Sequence, residues 1–206
     1  MRWDITYLAT RTIGKHYYLY MFEDLYSRYG VHWEVHPIES GELGAQLMSQ
    51  AALKVSANQG MPILHSDNGS PMKSFTMRAK LEALGIKPSY SRPRVSNDKA
   101  YIESMFRTVK YCPSWPSQGF ESSEAARQWV EKFMQWYNEE HRRSAIRYVT
   151  PGQRYRGEDG ALLANRKAVY QAAKAKNPSR WSGNTRNWQP CGAVALNPQK
   201  EVSLAA

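Results

Sequence analysis

The chain has 206 residues, with 28 Lys and Arg against 18 Asp and Glu and a formal net charge of +10. That length allows one principal core with at most a small appended subdomain, and the charge points to a polyanionic partner. No apolar run approaches the ~20 residues that cross a bilayer, and the N-terminal stretch MRWDITYLAT lacks a signal-like apolar region, so a soluble intracellular protein is expected.

Residues 3–9 (WDITYLA), 17–24 (YYLYMFED) and 30–36 (GVHWEVH) are rich in aromatic and β-branched residues and separated by Gly-containing turns, which predicts an antiparallel meander. A helix is expected from Ser40 to about Asn58, with Leu43, Leu47, Ala51 and Val55 at four-residue spacing, ended by Gly60 and Pro62. Ile63 and Leu64 then read as a short buried strand that stops at His65-Ser66-Asp67-Asn68-Gly69. Taken alone, Asp-Asn-Gly after a strand is an ordinary turn.

A second helix is expected near Ser74 to Leu84, with Phe75, Ala79, Leu81 and Leu84 on its apolar side and Gly85 as its stop, followed by a strand over 86–91. Three strands, a helix, a strand, a helix and a strand make a mixed-sheet α/β pattern. Ser96-Asn97-Asp98 is a helix-start signal for a helix that runs through KAYIESMFRTVKY to Pro113. Another begins near Ser122 and Ser123 and repeats Ala126, Trp129, Val130, Phe133, Trp136 and Tyr137 at helical spacing, a core face. A last helix over about 162–175 precedes NPSRWSGNTRNWQP, in which Arg180, Trp181, Arg186 and Trp188 suit either a nucleic-acid clamp or a strap over the core. The two cysteines, Cys112 and Cys191, have neither metal-ligand nor framework spacing and read as free thiols.

Asp4 falls on the first strand, Asp67 at the end of the fourth, and Glu103 inside a helix, with 35 residues between Asp67 and Glu103. If the first and fourth strands pair, Asp4 and Asp67 become neighbours, and a helix packed over them can aim Glu103 at the same point. Three converging carboxylates repel one another unless cations neutralise them, and Mg²⁺ is the natural occupant. Two such ions ~3.5–4 Å apart suit in-line displacement at a phosphodiester. Arg107 and Lys110 stand four and seven residues past Glu103, on its face of the helix, where they form either a solvated charged surface or a grip on flanking phosphates.

These residues carry a resemblance. WDITYL (3–8), EDLYSRYGVHW (23–33), HSDNGS (65–70), SYSRPRVSNDKAYIESMFRTVK (89–110) and WYNEEHRRSAIRYVTPGQRY (136–155) resemble the DDE integrase core of bacterial insertion-sequence transposases, over about residues 3–156 and onward to ALNP at 195–198. The resemblance implies a ribonuclease-H-like α/β fold, a mixed five-stranded sheet with helices on both faces and a helical and irregular C-terminal extension. The expected division is a catalytic core over 1–111, its helical completion over 112–156 and the extension over 157–206.

The resemblance also implies catalytic and metal-binding roles for Asp4, Asp67 and Glu103, with Mg²⁺ or Mn²⁺ as cofactor, as a pair of ions. It implies DNA contact by Lys110, and Arg107, Asn68, Arg142 and Arg143 are further candidates, although relatives often have His where Arg143 stands. Asn68 and Gly69 also suit a turn that presents Asp67, and His65 a structural role. The implied partners are DNA, as element ends and target, and further copies of the chain, in a bacterial cytoplasm at the nucleoid. Relatives carry a helix-turn-helix and a linker before the WDIT strand, whereas here Asp4 is the fourth residue, so an isolated core with weak sequence-specific binding is expected. The competing readings are a catalytically silent DNA-binding fragment and a structure-specific nuclease of the same fold.

Overall fold

In the computed structural model, which describes residues 1–55, 63–91 and 100–194, the expected meander forms from β1 (Arg2–Ala9), β2 (His16–Glu23) and β3 (Gly30–His36). β1 pairs antiparallel with β2 from Arg2↔Glu23 to Ala9↔His16, and β2 pairs antiparallel with β3 with an irregularity between Phe22 and Glu23. Helix α1 (Gly41–Val55) leads to β4 (Ile63–Ser66), and α2 (Phe75–Ala83) leads to β5 (Lys87–Tyr90). β4 runs parallel to β1 and β5 parallel to β4, so the sheet order is β3-β2-β1-β4-β5. This is the ribonuclease-H-like arrangement that the motifs imply.

Side chains alternate across β1. Trp3 faces a core shared with Tyr20 and Phe22 of β2, Ala45, Leu47, Met48 and Ala51 of α1, and Met77 and Leu81 of α2. Trp3 and Phe22 stack at 5.5 Å between ring centroids. The buried face of α1 is Gly44, Ala45, Leu47, Met48 and Ala51, rotated from the expected stripe because small residues let the helix approach Trp3. The apolar side expected for α2 is corrected likewise: Phe75 is 79% exposed, and Met77 and Leu81 are the buried pair. Arg2, Asp4, Thr6 and Leu8 occupy the opposite face of β1, over which α3 (Ala100–Lys110) packs with Ile102, Met105, Phe106 and Val109 buried.

The remaining helices are α4 (Ser123–Glu139), α5 (Pro151–Tyr155) and α6 (Asp159–Lys176), the last starting three residues before the expected 162. α5 was not expected, yet its start is written in the sequence. Thr150 accepts from the backbone N–H of Gln153 while the Gln153 side chain accepts from that of Thr150, a reciprocal cap.

The described residues divide into two compact units, drawn from residues 1–25, 30–131 and 194 in the first and 26–29 and 132–193 in the second. Within the second, Ile146, Val149, Leu163 and Trp188 form a small core, so Trp188 serves as a strap anchor. Arg154 is buried with its guanidinium 4.1 Å over the Tyr26 ring and donates to the carbonyl of Cys191. Cys112 and Cys191 are free thiols. Among the described residues no helix is long and apolar enough to cross a membrane. The turn signals at Gly60 and Pro62, the helix start at Ser96-Asn97-Asp98 and the ALNP stretch lie outside the described residues.

Candidate active site

The parallel pairing of Arg2 with His65 fixes the register of β1 against β4. Two residues further along each chain stand Asp4 and Asp67, so both acids lie on adjacent parallel segments, Asp67 being the first residue beyond the end of β4. Side chains at the carboxyl ends of parallel strands are where open α/β sheets place their chemistry.

The local sequence explains how Asp67 is held. Its Oδ1 accepts a 2.7 Å hydrogen bond from the Gly69 N–H, an Asx turn, and a Cβ on Gly69 would stand only 2.9 Å from that oxygen. The Asn68 amide donates to the Ser91 carbonyl at 2.8 Å, and the Ser91 N–H donates to the Ser66 carbonyl, tying the turn to the end of β5. His65 is fully buried, with its two ring nitrogens 3.0 and 3.2 Å from the hydroxyls of Ser89 and Ser91. These partners make it a structural residue. Asp4 Oδ1 accepts from the N–H of Ile5 at 2.8 Å.

Arg2 joins the acids. Its side chain is fully buried, and the carboxylates of Asp4, Glu23, Glu103 and Asp67 all act on its guanidinium, opposing the burial that pushes its pKa down. Glu23, also fully buried, is its cross-strand partner. The field of each of the three acids singled out by spacing favours the charged form of Arg2. Neither Arg2 nor Glu23 was singled out in the sequence, although Arg2 stands two positions before Asp4, on its face of the strand.

Glu103 is exposed on α3, as are Arg107 and Lys110 on the same side of the helix, and Arg107 lies 5.7 Å over the Tyr111 ring. The all-carboxylate donor set is the one that hard divalent cations take. In this conformation, among the described residues, no group of three or more His, Cys, Asp or Glu side chains is gathered closely enough to hold a metal ion. Asp4 and Asp67 each spend one oxygen on the backbone, and Glu103 faces water. In the second unit, Arg142 is exposed, whereas Arg143 is buried, with its guanidinium 5.3 Å over the Tyr137 ring and donating to the Tyr137 hydroxyl. His141 stacks on Trp136 at 4.6 Å, and its pKa is lowered by burial and by Arg143.

A family model described as an integrase core domain matches residues 1–96, and a second of the same description matches residues 84–151. The transposase for insertion sequence element IS904 of Lactococcus lactis subsp. lactis (strain IL1403) is 29% identical over 149 residues, 72% of this chain and 57% of that protein. Transposase InsF for insertion sequence IS3A of Escherichia coli (strain K12) is 30% identical over 107 residues, 52% of this chain and 36% of that protein. The chain thus spans between about a third and somewhat over half of the length of these relatives. Among solved structures, a chain of the simian T-cell lymphotropic virus intasome in complex with a regulatory subunit of PP2A superposes with a TM-score of 0.53 at 15% identity, over 74% of this chain and 52% of that one. At that identity the likeness concerns the fold, and it agrees with the sheet order above. With two integrase-core models covering residues 1–151 between them and insertion-sequence transposases as relatives, the chain carries an integrase core domain similar to that of insertion-sequence transposases.

Proposed function

We propose that this chain is the catalytic core of a DDE transposase, which cleaves DNA at an element end and joins the freed strand to a target. The observation that supports the reading is the Arg2↔His65 register, by which Asp4 and Asp67 stand on adjacent parallel segments, with α3, which bears Glu103, packed on β1. Asp4, Asp67 and Glu103 would hold a divalent pair, Mg²⁺ or Mn²⁺, whose chemistry when bound is to activate an attacking oxygen and stabilise a leaving one.

In the cleavage step a water oxygen bonds to phosphorus and the P–O3′ bond breaks, leaving a 5′-phosphate and a 3′-hydroxyl. In the joining step that hydroxyl oxygen bonds to a target phosphorus, and the target's own P–O3′ bond breaks to release a new 3′-hydroxyl. The exposed cations Arg107 and Lys110, on the face of α3 that carries Glu103, are placed to grip flanking phosphates. Arg142 is a further DNA contact, whereas the amide of Asn68 and the guanidinium of Arg143 already serve the fold. The substrates are element ends and target DNA at the bacterial nucleoid, engaged by an oligomer of this chain that holds two ends.

Mn²⁺-dependent nicking and joining of plasmid DNA by the chain, beside Glu103→Gln, tests the reading. Activity lost in the variant is expected, and equal strand transfer by the variant would overturn it. Cleavage of the RNA strand of a hybrid without any DNA joining would turn the assignment to a structure-specific nuclease.

A further inference from the structure

The turn between β1 and β2 presents an apolar side chain that the fold does not use. Ile13 is 101% exposed, the most exposed large apolar side chain among the described residues. Its neighbours from Arg11 to His16 are all exposed, three of them cationic or titratable to cationic: Arg11, Lys15 and His16. The facing acid is Glu121, 3.1 Å from Arg11 in a pair more than half exposed on both sides, an arrangement that holds Arg11 weakly.

The turn is nevertheless built firmly. The Thr10 hydroxyl lies 3.0 and 3.1 Å from the carbonyls of Thr12 and Lys15 and accepts from the Thr12 N–H, and the Lys15 N–H donates to the Thr12 carbonyl. Gly14 adopts φ +81, which closes the bend. Its base is clamped from the side: Phe120 donates to the Ala9 carbonyl and accepts from the Arg11 N–H, and a Cβ on Gly119 would stand 2.6 Å from the Thr10 carbonyl. Phe120 is itself fixed by edge contacts with Trp115 and Trp129 at 5.5 and 5.7 Å. A depression of about 490 Å³, lined in part by Arg11, Lys15, His16 and Tyr18, lies beside the turn.

We infer that this hairpin tip is a DNA wedge: Ile13 inserts at a base step of duplex DNA while Arg11 and Lys15 hold the phosphates on either side. An aliphatic side chain held rigidly between cations is the device by which proteins unstack and kink a duplex. Pyrimidine–purine steps yield most readily to it. The inference rests on the reading of this chain as a DNA-acting protein, and it adds a contact separate from the three acids.

The test uses the full chain and closed circular plasmid, relaxed in EDTA by a topoisomerase that needs no metal, so that strand chemistry is silent and unwinding is read as a change in linking number. Binding to the same DNA is followed in parallel. The wild-type chain and Ile13→Leu are expected to shift the linking number. Ile13→Ser is expected to lose the shift with an affinity within about threefold of wild type, because phosphate contacts carry most of the affinity. Arg11→Gln combined with Lys15→Gln is expected to weaken binding and to flatten its salt dependence. Binding by the wild-type chain without a shift, or an undiminished shift with Ile13→Ser, overturns the wedge and leaves the DNA reading standing. No binding at low salt removes both. Loss of self-association in Ile13→Ser, with its linking-number shift intact, would assign the tip to a protein contact instead.

Discussion

A guanidinium wholly removed from water is tolerated only among carboxylates, and Arg2 has four acting on it. Arg2→Met leaves Glu23 buried opposite an apolar side chain, so a loss of about 3–5 kcal/mol is expected in urea unfolding, with part of it recovered when Glu23→Gln is added. Equal stability of Arg2→Met and wild type would contradict the assignment of Arg2 as the counter-ion of the cluster. Two histidines set a pH dependence. His32 is buried and His141 partly so, and both have pKa values lowered from 6.5 by burial, assisted by Lys54 at His32 and by Arg143 at His141. The folded chain then binds fewer protons than the unfolded one below pH 6.5, so their contribution is complete above that value and is lost as pH falls through the lowered folded pKa values. The urea midpoint should fall between about pH 7.5 and about pH 5.5, less steeply in His32→Gln. A midpoint that rises over this interval would contradict it. At this scale Asp67 stood out only through its spacing to Asp4 and Glu103 and through the family resemblance, since Asp-Asn-Gly after a strand is by itself an ordinary turn, whereas the structural reading of His65 followed from its apolar flanks. Arg2 and Glu23 were not legible, because only the strand register shows that their charges meet inside.

α1 docks on the sheet through small residues. A Cβ on Gly44 would stand 2.7 Å from the Trp3 ring, and Trp3 is fixed between Phe22 and the helix. Gly44→Ala is therefore expected to cost about 1–3 kcal/mol despite its better helix propensity, as read by chemical denaturation. Unchanged or increased stability would show that Trp3 can move aside. The same close approach explains why the four-residue stripe Leu43, Leu47, Ala51, Val55 only partly matched the buried face of α1: hydrophobicity marks a stripe, whereas glycine and alanine mark where a helix can come near. In α2 the periodicity was short and ambiguous, and the aromatic Phe75 turned outward while Met77 and Leu81 packed inward. The five strands were legible almost to the residue, since alternation and Gly-rich turns are local signals. α5, only five residues long, escaped a search based on periodicity and was visible only through its cap, Thr150 with Gln153.

At the scale of the whole molecule, the proposed action on DNA rests on a charge of +10, the order β3-β2-β1-β4-β5 and the two integrase-core matches over residues 1–96 and 84–151. The sequence spacing carried the family and the fold. That Asp4 and Asp67 lie on adjacent segments, with the helix bearing Glu103 packed over the same strand, came from the parallel pairing of β1 with β4 and from the packing of α3 on β1, two long-range facts that no local pattern encodes. The central claim is that Asp4, Asp67 and Glu103 act together on divalent metal, and its most direct measurement is the Mn²⁺-induced gain in stability of the wild-type chain beside Asp4→Asn, Asp67→Asn and Glu103→Gln. At ~100 times the dissociation constant the wild-type chain should gain roughly 2.7 kcal/mol, and each variant should lose most of that gain. No gain in the wild-type chain, or a full gain in any of the three variants, would contradict the account.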